Sequence, residues 1–132
     1  MNRDIEFRGK TKDNEWIYGY YHKETSTSIA LQEYGINEIN THYIHTVIEH
    51  LLFKIEVISE TIGQYTGLKD KNGKKIFEGD IVKSKYGVFK SKVEWNDSFC
   101  GFFPFCNNDT GIFADECEVI GNIYENKELL EG

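Results

Sequence analysis

Ile62-Gly63-Gln64-Tyr65-Thr66-Gly67-Leu68-Lys69-Asp70-Lys71-Asn72-Gly73-Lys74-Lys75-Ile76-Phe77-Glu78-Gly79-Asp80-Ile81-Val82 is the stretch that decides the fold. Asn72-Gly73 signals a tight turn, because both residues tolerate positive φ. On the far side of it, Ile76 to Val82 enters a strand. Gly63, Gly67, Gly73 and Gly79 allow the chain to turn, while Tyr65, Leu68, Ile76, Phe77, Ile81 and Val82 fill a small core. Asp70 is expected to bond backbone amides in the turn, and Asp80 to do the same ahead of its strand. A Gly-Asp pair before an apolar strand is common where small SH3-like barrels begin one.

Towards the C-terminus the pattern stays extended. Tyr86-Gly87 turns the chain. Phe89, Val93 and Trp95, with Lys90, Lys92 and Glu94 between them, predict one long amphipathic strand. Asn96-Asp97 turns into Phe99 to Phe103, and Glu118 to Tyr124 forms the last strand. Asn126 is placed to cap a short terminal helix over Lys127 to Leu130. About five short strands with tight turns between them predict a small closed or nearly closed β barrel.

Towards the N-terminus, Ile5-Glu6-Phe7-Arg8 alternates apolar and charged residues, the period of a half-buried strand. Gly9 to Asn14 is a polar turn, and Trp16 to Tyr21 is the hairpin partner of the first strand. Ser28-Ile29-Ala30-Leu31 predicts another short strand. Ile36, Ile39, Tyr43, Val47 and Leu51 fall at helical spacing, but Asn37, Asn40, Thr41, His42, His45 and Thr46 form helices poorly. A strand over Thr41 to Ile48 is therefore favoured, followed by one over Leu52 to Ile58. The expected architecture is all-β: residues 1–61 as an N-terminal β segment packed on an SH3-like barrel domain of residues 62–132.

Composition bounds the class. The chain has 132 residues, with 39% hydrophobic and 28% charged, which places it among globular proteins. The 14% aromatic content, from 9 Phe, 8 Tyr and 2 Trp, suits pleated, half-buried surfaces. A formal net charge of −7 disfavours non-specific attraction to phosphate backbones or anionic membranes. No apolar run follows Met1-Asn2-Arg3-Asp4, so no secretory leader is expected, and no stretch has the apolar length of a membrane span. The 3 cysteines, Cys100, Cys106 and Cys117, are odd in number and widely spaced; reduced thiols in a cytoplasmic compartment are expected.

Three blocks resemble a known family. They are Ile5 to Lys10, Ile62 to Val82, and Glu118-Val119-Ile120-Gly121-Asn122-Ile123-Tyr124-Glu125-Asn126. In this order and spacing they look like the YopX-like family of phage and prophage proteins. The blocks span nearly the whole chain, although Tyr20 to Ile58 carries little of the likeness. The resemblance implies a protein of a phage or prophage acting in the host cytoplasm, with a β fold whose C-terminal part is SH3-like. It implies no reaction. One departure is visible: the family commonly has proline two residues after the final tyrosine-acid pair, where this chain has Lys127, which leaves the terminal turn less preset.

No catalytic constellation stands out, and the chain is expected not to be an enzyme. The glycine-rich block has neither G-x-x-x-x-G-K-[ST] nor G-x-G-x-x-G, so those phosphate loops are absent and no cofactor is expected. His42, His45 and His50 lack a known ligand spacing, and strand geometry points His42 and His45 to opposite faces, so no metal is expected. Buried structural thiols are the expected role of the cysteines.

Two surfaces are candidates. From Lys69 to Lys92 eight lysines stand against three acids, a balance of +5, whereas the chain from Val93 onward carries nine acids against Lys127 alone. Lys69, Lys71, Lys74, Lys75, Lys83 and Lys85 are the candidate nucleic-acid surface, with Tyr86 and Phe89 available for stacking. The alternative is a solvated face whose edge lysines block aggregation, and the stretch has no arginine, the usual choice for specific contacts. Phe99, Phe102, Phe103 and Phe105 are the candidate protein interface, since alternation cannot hide all four on one face. The function expected is a non-enzymatic, protein-binding accessory module, with a protein partner or self-association and no membrane. A nucleic-acid-associated module is the second reading.

Overall fold

The computed structural model describes residues 5–27, 29–85, 89–106 and 111–131. Within them the chain is mostly β-sheet, with one short α-helix and three 3-10 turns. It divides into two compact units, Glu6–Ile62 and the residues from Gly63 onward.

The first unit is an antiparallel meander of β1 (Phe7–Lys10), β2 (Trp16–Ser26), β3 (Ile39–Ile48) and β4 (Leu51–Glu56). β1 pairs with the start of β2, with Lys10 opposite Trp16, and the rest of β2 pairs with β3. The buried Arg8 guanidinium lies 4.4 Å from the centre of the Trp16 ring, and Lys10 Nζ lies 5.6 Å from it. An aromatic face is a favourable place for a buried cation. Lys10 N–H donates to Thr61 Oγ1 at 2.8 Å and Thr61 Oγ1 donates to the Ile58 carbonyl, which fastens the end of the unit to its first strand.

Ile29-Ala30-Leu31 is not the strand that composition predicted. It opens α1 (Ile29–Glu33), and Ser28 lies outside the described residues. Ala, Leu, Gln and Glu are strong helix formers, and the helix stops where Gly35 takes φ 77°. There the Gly35 N–H bonds to the Gln32 carbonyl and the Ile36 N–H to the Leu31 carbonyl. This is the paired closure that a left-handed residue after a helix produces.

The second unit holds β5 (Gly63–Lys69), β6 (Lys75–Phe77), β7 (Asp80–Ser84), β8 (Lys90–Lys92), β9 (Glu94–Asn96), β10 (Gly101–Phe103) and β11 (Cys117–Asn122). β5 and β6 form an antiparallel hairpin around Asn72-Gly73. β7 is central in a three-stranded sheet, ordered β11-β7-β8, and β9 pairs with β10. In place of the closed barrel expected, the described strands form open sheets. Their shared interior is Ile76, Val82, Val93, Phe102 and Cys117, with Phe105, Ile112, Ala114 and Val119 against it.

Three sequence expectations change here for identifiable reasons. Ile76 to Val82 is not one strand, because Gly79 at φ 94° turns the chain between β6 and β7. The Asp80 carboxylate supports that turn by accepting the Phe77 N–H at 2.8 Å. The long strand through Val93 is likewise two. Val93 N–H donates to the Asp80 carbonyl and its own carbonyl accepts the Gly79 N–H, both at 2.8 Å, after which the chain changes partner from β7 to β10. Finally, the short terminal helix expected over Lys127–Leu130 is present as a single 3-10 turn. Asn126 does not cap it: its Oδ1 reaches back to the Asn122 N–H at 3.2 Å. The turn expected at Tyr86-Gly87 lies outside the described residues.

The interaction that orders this unit is at Asp70. Its buried carboxylate accepts the N–H groups of Asn72 and Lys74 at 2.9 Å through Oδ1, and that of Val119 at 3.0 Å through Oδ2. Burial alone raises a carboxyl pKa, but the three backbone donors, with the Lys74 charge, hold this one below its ordinary value. Replacing Asp70 by Asn removes the charge and turns an N–H group towards backbone donors. We expect Asp70→Asn to lower unfolding stability by about 2–4 kcal/mol at neutral pH, measured by urea denaturation. Because the folded pKa is depressed, the contribution is full above the unfolded-state pKa and is lost as pH falls through the folded one. The gap between wild type and Asp70→Asn therefore closes in acid; a gap constant with pH would contradict the assignment.

Candidate functional site

The β3–β4 hairpin carries the densest group of exposed large apolar side chains among the described residues. Val47 is 66% exposed, Leu51 62% and Leu52 68%, and Ile48 and Phe53 are also exposed. The hairpin is tight: Ile48 faces Leu51 across Glu49-His50, and both turn residues take positive φ. That is the two-residue turn whose twist matches paired strands. Alternation then sends Val47 and Leu52 to one face, and Ile48, Leu51 and Phe53 to the other. Both faces of the tip are apolar. A core-facing hairpin needs only one such face, so the second is unexplained by folding of the hairpin itself.

Charged and aromatic groups fill the same sheet nearer its base. Lys54 Nζ lies 2.9 Å from Glu24 Oε1 and 4.6 Å from the centre of the Tyr43 ring. That hydrogen bond holds the Glu24 carboxyl below its ordinary range and the Lys54 ammonium above it. Tyr21 Oη bonds His42 Nδ1 at 2.7 Å, and the His22 and His45 rings meet edge to face at 5.3 Å. His50 sits in the hairpin turn, away from this pair in the ladder. Among the described residues no group of three or more His, Cys, Asp or Glu side chains is gathered as a metal ion requires.

A depression of about 450 Å³ lies in the first unit, between Thr11, Lys12, Asp13, Glu15 and Ile17 on one side and Ile55 to Ile58 on the other. Its lining sets Ile17, Ile55, Val57 and Ile58 beside three carboxylates and one lysine. Thr11 Oγ1, its hydroxyl, already accepts the Asp13 and Glu15 N–H groups.

In the second unit the four phenylalanines separate. Phe102 is buried edge-on to Trp95, with ring centres 5.2 Å apart, and Phe103 and Phe105 are half-buried. Phe99 is 53% exposed and, with the exposed Leu68 and Trp95, lines a shallow groove of about 360 Å³. Cys100 is exposed there. Cys117 is buried, and burial together with the nearby Glu116, Asp115 and Asp70 carboxylates pushes its thiol pKa up, which makes it a poor nucleophile.

Several of the lysines lie beside acidic or aromatic partners. Lys71 Nζ pairs with Glu118 at 3.5 Å and Lys85 Nζ with Glu116 at 3.1 Å. Lys75 Nζ lies 5.2 Å from the centre of the Tyr65 ring, and Lys83 stands opposite Glu118 in the β7–β11 ladder. Lys69 faces Lys75 across the hairpin, and Lys74 is exposed at its turn. The acidic C-terminal third thus folds back over the basic stretch. Sequence reasoning found the lysines and the phenylalanines but missed the β3–β4 tip. The signal was there in Val47-Ile48 and Leu51-Leu52-Phe53, apolar runs that no single-faced strand needs.

No helix among the described residues is long and apolar enough to cross a membrane. No curated protein matches the chain. The chain is similar to protein EF1440 from Enterococcus faecalis, known from a crystal structure. The two are 27% identical, the match covers 98% of this chain and 100% of that one, and the TM-score is 0.51. The sequence pattern of the family described as YopX protein matches residues 6–131. With the Asp70 turn, the Gly79-Asp80 turn and the final strand all inside that match, the chain belongs to the YopX family.

Proposed function

We propose that this protein is a non-enzymatic accessory protein of a phage or prophage that acts in the host cytoplasm by binding protein. The observation that carries the reading is the β3–β4 tip, where five large apolar side chains stand in water on two faces. Burying one such side chain fully stabilises an assembly by about 1.5–3 kcal/mol. A tip of this kind is more useful against a partner than in solvent. The Leu68, Trp95 and Phe99 groove is a second, smaller surface of the same chemistry. An SH3-like arrangement of the second unit fits the way the chain changes sheets at Val93, since corners between sheets form where a strand bends from one to the next.

The nucleic-acid reading is weaker, because two of its six lysines are engaged by Glu116 and Glu118 and a third faces Glu118. We expect no gel shift with DNA or RNA at low salt; a shift that weakens steeply with salt would favour that reading instead.

For the main reading, Val47→Lys with Leu52→Lys tests the tip. Both positions are exposed, so the variant should fold with stability within about 0.5 kcal/mol of wild type for each change. It should lose at least tenfold in binding to proteins retained by immobilised wild type. Equal retention by both would contradict the proposal.

A further inference from the structure

We infer that β4 is an intermolecular pairing edge whose occupant is the β4 strand of a second copy of this chain, laid antiparallel with Phe53 against Phe53. This deepens the protein-binding reading and rests on it.

The first observation is hydrogen-bonding parity. β4 pairs with β3 on one side only within Glu6–Ile62, and Val57 N–H donates inward to the His42 carbonyl at 2.9 Å. In an antiparallel ladder such bonds recur at every second residue. Leu51, Phe53 and Ile55 therefore bond inward to β3, and the backbone groups of Leu52, Lys54 and Glu56 point outward. The strand is exposed from Leu51 to Lys54 and at Glu56. An exposed apolar edge of this length is a template for another strand.

The second observation is that a two-fold register centred on Phe53 suits the side chains. Outward-facing residues must pair with outward-facing residues, which restricts a symmetric dimer to a few alignments. Centring on Lys54 sets Lys54 against Lys54. Centring on Ile55 sets Leu52 against Ile58, whose N–H already donates to the Lys10 carbonyl at 2.8 Å. Centring on Phe53 sets Phe53 against Phe53, Leu51 against Ile55 and Leu52 against Lys54. It uses the whole free length of the strand and places an aromatic pair on the axis, a favourable cross-strand contact.

The third observation is charge at the ends. In this register the turn of each hairpin, with His50, arrives opposite Glu56 of the other. Glu56 lies on the rim of the depression that Asp13 and Glu15 also border. The His50 ring, whose N–H can donate to a carboxylate, is thereby brought towards Glu56, beside the depression that Ile17, Ile55, Val57 and Ile58 also line. Lys54 in mid-strand has a second use: it rejects the alignment in which it would meet itself, so the edge selects a register rather than pairing with any strand.

Light scattering on wild-type protein at high micromolar concentration should give twice the 15.4 kDa chain mass. Lys54→Pro removes an outward N–H, which the β3–β4 ladder does not use, together with the side-chain contacts to Glu24 and Tyr43, and should give the single-chain mass. Lys54→Ala keeps the N–H and should remain dimeric. In a Cys100→Ser background, Phe53→Cys should cross-link through a disulfide on mild oxidation, because non-hydrogen-bonded antiparallel partners sit about 4.5 Å apart at Cα. Should Lys54→Pro fail to fold, the cross-link decides alone. A monomeric wild type with no Phe53→Cys cross-link overturns the dimer. In that event the protein-binding reading still stands if the Val47→Lys, Leu52→Lys variant loses a heterologous partner, and falls with it if wild type binds nothing.

Discussion

A buried carboxylate that accepts three backbone N–H groups ties the Asn72-Gly73 turn to the last strand. Removing the Asp70 charge from water costs several kcal/mol unless donors replace the lost hydration. Two of those donors, Asn72 and Lys74, exist only if the local turn is correctly formed, and the third, Val119, only if the last strand has arrived. Turn and long-range register therefore form together. The Lys71 N–H to Cys117 carbonyl bond at 2.9 Å adds a backbone tie beside them. Asp80 repeats the device one turn later, holding Phe77 while its own carbonyl receives the Val93 N–H. Two aspartates in the family block are thus engaged by backbone N–H groups.

The first unit is organised on a different principle. Its base is satisfied by the Arg8 and Lys10 contacts with Trp16 and by the Thr61 fastening. Its far end is left with apolar side chains on both faces, and β4 pairs with β3 alone among the described strands of the unit. Two kinds of surface are separated along one sheet: polar and aromatic pairs near Glu24, Tyr43 and Lys54, and aliphatic groups towards Glu49-His50.

Legibility in the sequence followed the range of the interaction. The Asn72-Gly73 turn and the Asp70 bonds within it span two to four residues, and residue type alone pointed to them. The bond from Asp70 to Val119 spans 49 residues and depends on the sheet, so no local pattern announces it. The break at Val93 was hidden for the same reason: side-chain alternation continues through it while the pairing partner changes. α1 is too short to show a helical period, and β-prone neighbours outweighed the helix formers Ala30 to Glu33. The β3–β4 tip escaped because periodicity arguments look for one apolar face, and this hairpin has two. Charge counting along the chain does not reveal that Glu118 and Glu116 end up beside Lys71 and Lys85.

Native-state amide hydrogen exchange tests the central claim most directly. If the Asp70 carboxylate couples turn and strand, the amides of Asn72, Lys74 and Val119 exchange as one cooperative group, with a common opening free energy equal to that of the β7 core amides. Turn amides that exchange orders of magnitude faster than Val119, as in an ordinary surface loop, would contradict it.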